Sequence, residues 1–143
     1  MGVYKYTSVA MSKTKLQVDY DYDFCLIGIV SHEKDYRLCW MLNSVLNIKL
    51  AKAEDHHAGQ SRHSMYNYIQ EELFREYYLL ANKGDAHVLI EEHKHIDYFL
   101  LIKGQIAGEE QKHVNELIKK SGMVAAAYLI DVLSLKSKQN LVL

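Results

Sequence analysis

The stretch MYNYIQEELFREYYLLAN, residues 65–82, decides the fold. Met65 to Ile69 and Glu76 to Asn82 are rich in tyrosine and large aliphatic residues, which suit a pleated, half-buried surface. Gln70-Glu71-Glu72 between them is polar and reads as a turn, with a short helix as the alternative. Strands joined by so short a connection lie side by side and antiparallel. A chain with such a hairpin at its centre builds an antiparallel sheet.

Upstream, Leu16, Val18, Tyr20, Tyr22, Phe24 and Leu26 alternate with Gln17, Asp19, Asp21, Asp23 and Cys25. That period of two marks a strand with one apolar and one acidic face. From Cys25 to Val30 both faces turn apolar, so this strand should enter the core. Ser31 is placed to cap a helix and Glu33 to sit in its first turn. From Glu33 to about Asn47, Leu38, Leu42, Val45 and Leu46 recur at helical spacing, flanked by Tyr36, Cys39 and Trp40. Glu54 to Ser64, polar and holding His56, His57 and His63, reads as a loop.

Downstream, Lys83-Gly84-Asp85 signals a turn, and Val88–Ile90 and Ile96–Lys103 read as strands. Glu109 to Lys120 is an amphipathic helix with Val114, Leu117 and Ile118 inward, stopped by Gly122. Met123 to Val132 reads as a final strand, followed by a polar-then-apolar tail. The order β-α-β-β-β-α-β, with an extra short strand near Val88, predicts an α+β fold. We expect a two-layer sandwich, a mainly antiparallel sheet with two principal helices on one face. A ferredoxin-like strand arrangement is compatible, but the strand order is left open. Residues 1–12 are expected as a disordered extension and residues 13–143 as one domain.

The chain has 143 residues, enough for one substantial core, and a net charge of −1, which argues against nucleic-acid binding and anionic membranes. No apolar run reaches membrane-spanning length and no secretion signal opens the chain, so the expected compartment is the cytoplasm. Cys25 and Cys39 are the two cysteines and are expected as reduced core thiols.

Ile90-Glu91-Glu92-His93-Lys94-His95-Ile96-Asp97-Tyr98 stands out as a motif. It resembles the signature of the bacterial IPExxxVDY family: Ile90, Glu92, Asp97 and Tyr98 match, Ile96 replaces valine, and Glu91 replaces proline. Asp21 to Ile29, Asp35 to Trp40 and Asn43 resemble the family's opening block. Leu135-Lys136-Ser137-Lys138 and Asn140-Leu141 resemble its closing block. The resemblance spans about Leu16 to the end and implies no particular activity.

Glu92, Asp97 and Tyr98 are therefore the leading site candidates, followed by Asp35, Arg37, Trp40 and Asn43. Two carboxylates and a phenol could do acid–base work if they converged in a pocket. In an extended segment Glu92 and Asp97 point to opposite faces, which favours capping and packing instead. Asp19, Asp21 and Asp23 are a weak candidate for a magnesium or calcium site. They lack the glycine and glutamate of a calcium-binding loop; Phe24 and Val30 stand there. The histidines lack zinc-ligand spacing and read as surface residues. No catalytic residue, metal or cofactor is assigned. The expected function is a non-catalytic interaction domain with a protein partner, and a homodimer through tyrosine-rich strands and the apolar tail Leu141-Val142-Leu143. The alternative is a small enzyme or small-ligand-binding protein using Glu92, Asp97 and Tyr98.

Overall fold

The computed structural model describes residues 23–143. β1 (Cys25–Val30) leads into α1 (Asp35–Leu46), then β2 (Ala51–Lys52), β3 (His56–Ala58), β4 (Ser61–His63) and β5 (Met65–Gln70). β6 (Arg75–Ala81), β7 (Tyr98–Lys103), α2 (Gly108–Lys119) and β8 (Ala126–Leu129) follow. Six strands form one sheet in the order β2-β5-β6-β7-β1-β8, every neighbouring pair antiparallel; β3 and β4 form a separate hairpin. The α+β architecture expected from the sequence is the one found.

The pairing directions explain the helix placement. Counted through the antiparallel pairs, β2 runs parallel to β1, and β8 runs parallel to β7. Each helix is thus a crossover between parallel strands. The two crossovers start from oppositely directed strands and travel opposite ways across the sheet. Connections of one hand then land on the same face, and right-handed connections dominate in proteins. Residues of α1 and α2 do share a single core cluster with one face of the sheet. Strands β6-β7-β1-β8 with α2 retain a split β-α-β of the ferredoxin-like kind, widened by β5 and β2.

Register turns the alternating sequence into two apolar surfaces. Tyr66, Leu79, Leu100 and Ile27 are successive cross-strand neighbours facing the helices. Shifted by one residue, Met65, Leu80, Phe99 and Gly28 form the row on the opposite face. β1 and β7 are buried on both faces, which is why their sequences are unbroken apolar runs. At Gly28 the side chains of Ile96 and Ile130 occupy the space a Cβ would need, Ile130 Cδ1 at 2.8 Å.

Irregular chain covers that second face: the connection between β6 and β7, the β3–β4 hairpin and the tail contribute Ala58, Leu89, Ile90, Ile96, Val132, Leu135 and Leu141 to its core. Several local expectations are corrected here. Ser31 does not cap α1; Lys34 is the N-cap, without a side-chain bond. Instead Ser31 Oγ accepts from the Glu33 amide (3.1 Å) and donates to Met123 O (2.7 Å). The polar segment 54–64 is not all loop, because β3 and β4 form there around Gly59 at φ +61°. Val88–Ile90 is not a strand; a single bridge joins Val88 to Lys83. The final strand spans only Ala126–Leu129, after which Val132–Ser134 and Lys138–Leu141 coil into 3-10 turns. Gln70-Glu71-Glu72 combines both readings, since the hairpin turns through a 3-10 helix, Glu71–Leu73. The expected extension, residues 1–12, and Asp19 and Asp21 lie outside the described residues.

Candidate functional site

The signature begins at Ile90, the N-cap of the 3-10 helix Glu91–His93, which is closed by the His93 amide donating to Ile90 O at 3.1 Å. Glu91, standing where the motif carries proline, is the first residue of that helix. A helical first position accepts proline because its N–H has no partner to lose, so glutamate and proline are both compatible with this turn. The bend from Ile90 to Asp97 wraps around Asn82, the residue after β6. Asn82 Nδ2 donates to Ile96 O (2.7 Å) and His93 O (3.0 Å), and its Oδ1 accepts from the Ile90 amide (3.0 Å). Its backbone adds bonds to Asp97 O (2.9 Å) and from the Leu89 amide (2.7 Å).

This bend sends the three candidate side chains to two different places. Glu92 turns to the tail: Oε1 accepts from the Ser137 hydroxyl (2.7 Å), and Oε2 from the Ser137 amide (3.0 Å) and the Lys136 amide. These donors, the Ser137 hydroxyl foremost, hold the Glu92 carboxyl down at about 2. Asp97 Oδ2 accepts from the Ser31 amide (2.8 Å), and Tyr98 donates its hydroxyl to Glu33 O (2.7 Å). Burial, with the charges of Asp35 and Asp97 nearby, pushes the Tyr98 phenol up to about 12, so it stays a donor at neutral pH. Asp97 and Tyr98 therefore meet on one connection, between β1 and α1, while Glu92 grips the opposite end of the chain.

The second group of candidates divides. Asp35, in the first turn of α1, accepts from its neighbour's amide at Tyr36 (2.7 Å) and from Ser64 Oγ (2.7 Å), tying the helix to the entrance of β5. Asn43 forms two bonds with Leu50, Nδ2 to O (3.1 Å) and Oδ1 from N (2.7 Å), in the manner of a strand partner. Arg37 makes an exposed i,i+4 pair with Glu33 at 2.7 Å. Trp40 points outward, 67% exposed, with Tyr36 one turn earlier at 60%. Both cysteine thiols are free and buried, and burial pushes Cys25 up to about 11 and Cys39 upward, which favours the protonated thiol.

Two surface grooves lie apart from the signature carboxylates and phenol. One, about 530 Å³, lies between Asp23–Cys25 and the start of α2; the other, about 500 Å³, lies between His93–Ile96 and β8. Neither is lined by Glu92, Asp97 or Tyr98. Among the described residues no three His, Cys, Asp or Glu side chains are placed to hold a metal ion. Asp23 lines the first groove; with Asp19 and Asp21 outside the described residues, the carboxylate row is not seen as a set.

The expectation of surface histidines fails at His63, which is fully buried. Its Nδ1 donates to Ala81 O at 2.9 Å, and its Nε2 has no partner. That nitrogen packs against Gly84, where a Cβ would lie 2.7 Å away. From sequence, Asn82 had no individual role, nor had Gly28 and Ser137, which figured only within the family-like blocks. Asn82 had one usable signal, a polar residue ending an apolar strand just before Lys83-Gly84. No family model, curated protein or solved structure matches this chain. No helix among the described residues is long and apolar enough to cross a membrane.

Proposed function

We propose that the chain is a non-catalytic binding module that works in the cytoplasm and takes another protein as its partner. The observation that carries this reading is the outward face of α1. Trp40, the sole tryptophan, and Tyr36 lie at i and i+4 and keep most of their surface in water. Tryptophan and tyrosine supply a large share of binding energy at protein interfaces, because one rigid ring covers much area at small entropic cost. The polar signature groups, by contrast, are spent on the chain's own backbone and tail. The rival reading, a small enzyme or ligand-binding protein, needs Glu92, Asp97 and Tyr98 in one pocket, and Glu92 is turned away from the other two.

Membership of the IPExxxVDY family is also a proposal. It is supported by contacts between the blocks, which are far apart in sequence: Ile96 against Gly28, and Glu92 with Ser137. The homodimer loses part of its motive, since Leu141 is buried in the chain's own core.

The test is capture of tagged protein from its host cells, wild type beside Tyr36→Ala/Trp40→Ala. Removing two interface aromatics should weaken retention of the partner by a factor on the order of 30 or more, with the urea midpoint unchanged. Equal retention by the variant would contradict the proposal. A mass that rises with concentration in sedimentation would make the partner a second copy.

A further inference from the structure

The connection between β5 and β6 ends in Phe74, and nothing inside the fold accounts for a phenylalanine there. The residue is 87% exposed, so it buries little area within the domain. Its backbone is left-handed, φ +53° and ψ +44°, a conformation that bulky residues rarely adopt and that glycine or asparagine takes at lower cost. Leu73 beside it and Ile69 on β5 are exposed as well. Isolated apolar residues on a surface need no explanation; two adjacent ones on a single turn, one of them with a left-handed backbone, do.

The turn is also held still. The Phe74 amide donates to Glu71 O at 3.1 Å. Arg75 grips Glu110 with two bonds, 2.7 and 2.8 Å, and reaches Gln105 O at 3.1 Å. Gly104, at φ +106°, lets the Phe74 carbonyl approach to where a Cβ would sit 2.5 Å from it. A tip fixed in this way loses little freedom on binding. Glu71 and Glu72 are exposed in the same turn, and neither forms an ion pair among the described residues.

We propose that this tip is a docking knob: Phe74, with Leu73 beside it, enters an apolar pocket on a partner protein whose rim carries lysine or arginine facing Glu71 and Glu72. The proposal rests on the reading of the chain as a protein-binding module and adds a location and a chemistry. The acidic pair selects a basic rim and repels an anionic lipid surface.

The experiment places a photo-crosslinking phenylalanine analogue at position 74 of the full chain in its host cells and maps the crosslinked peptide. The expected product is one protein, joined through a segment holding lysine or arginine beside apolar residues. Phe74→Gly should reduce retention of that protein about tenfold or more. It should also melt at or above the wild-type temperature, because the left-handed strain is gone. Phe74→Asn serves as a second variant that keeps the backbone conformation. Glu71→Lys/Glu72→Lys should weaken retention and flatten its salt dependence. Crosslinks to lipid, scattered crosslinks or none would overturn the knob. Full retention by both Phe74 variants, with loss in Tyr36→Ala/Trp40→Ala, would overturn the knob and leave the binding module standing. Full retention by every variant would overturn both.

Discussion

Asn82 is 1% exposed, and both ends of its amide are occupied by backbone groups of the signature bend. Replacing it with alanine leaves the Ile90 amide and the carbonyls of His93 and Ile96 without these partners. Buried groups left so cost about 1–3 kcal/mol each at most, so Asn82→Ala should lower the unfolding free energy by about 2–4 kcal/mol in urea titration. A loss below about 0.5 kcal/mol, the size of an ordinary surface change, would contradict that role. Gly28 makes a second prediction. Valine there meets Ile96 and Ile130 together, and overpacking of this kind costs about 1–3 kcal/mol. The crowding should be eased by a second change, Ile130→Ala, in a double-mutant cycle. Glu92, Asp97 and Tyr98 stood out in the sequence because a recognisable motif carries them. Their partners did not, since Ser31 lies 66 residues from Asp97 and Ser137 lies 45 from Glu92. No local pattern encodes such a pair.

Two of the segments that cover the second face of the sheet, the β3–β4 hairpin and the tail, should loosen in acid at different pH. The β3–β4 hairpin holds His63, whose pKa burial pushes below its usual 6.5 despite the Ala81 carbonyl on Nδ1; His56 and His87 nearby push the same way and Asp85 opposes them. The unfolded or opened hairpin then binds more protons than the closed one. Its stability is full at neutral pH and falls as pH drops through about 6.5. The tail is held by Glu92, whose carboxyl sits at about 2 against an ordinary 4.5. That contribution is present above about 4.5 and fades as pH falls toward 2. Hydrogen exchange should therefore show hairpin amides losing protection between pH 7 and 5.5 while amides of the tail keep theirs. His63→Gln should remove the first step. Simultaneous loss of both at one pH would count against this assignment. The long elements were legible because both helices carry a period of 3.6, β1 and β7 are unbroken apolar runs of strand length, and β5 and β6 are rich in tyrosine and large aliphatic residues. β2 and β3, at two and three residues, are shorter than any period can mark, and β4 is no longer. The tail reads as polar, then apolar, and no local period shows that Leu135 and Leu141 turn into the core.

Across the whole molecule, the signature joins segments that begin and end the described chain. One side of it fastens the β1–α1 connection and the other fastens the tail over the opposite face of the sheet. The hydrogen bonds at Glu92, Asp97 and Tyr98 are thus read as architecture, and the exposed aromatics of α1 form the proposed binding surface. This division has a thermodynamic consequence. Groups reserved for chemistry or for a ligand commonly cost stability, and replacing them commonly leaves a protein equally or more stable. Groups that brace a fold behave oppositely. Urea midpoints of Glu92→Gln, Asp97→Asn and Tyr98→Phe, measured singly against wild type at pH 7, separate the two cases most directly. A drop in every midpoint, worth about 0.5–1.5 kcal/mol per lost hydrogen bond, is expected if they brace the fold. Midpoints at or above wild type in all three would contradict it.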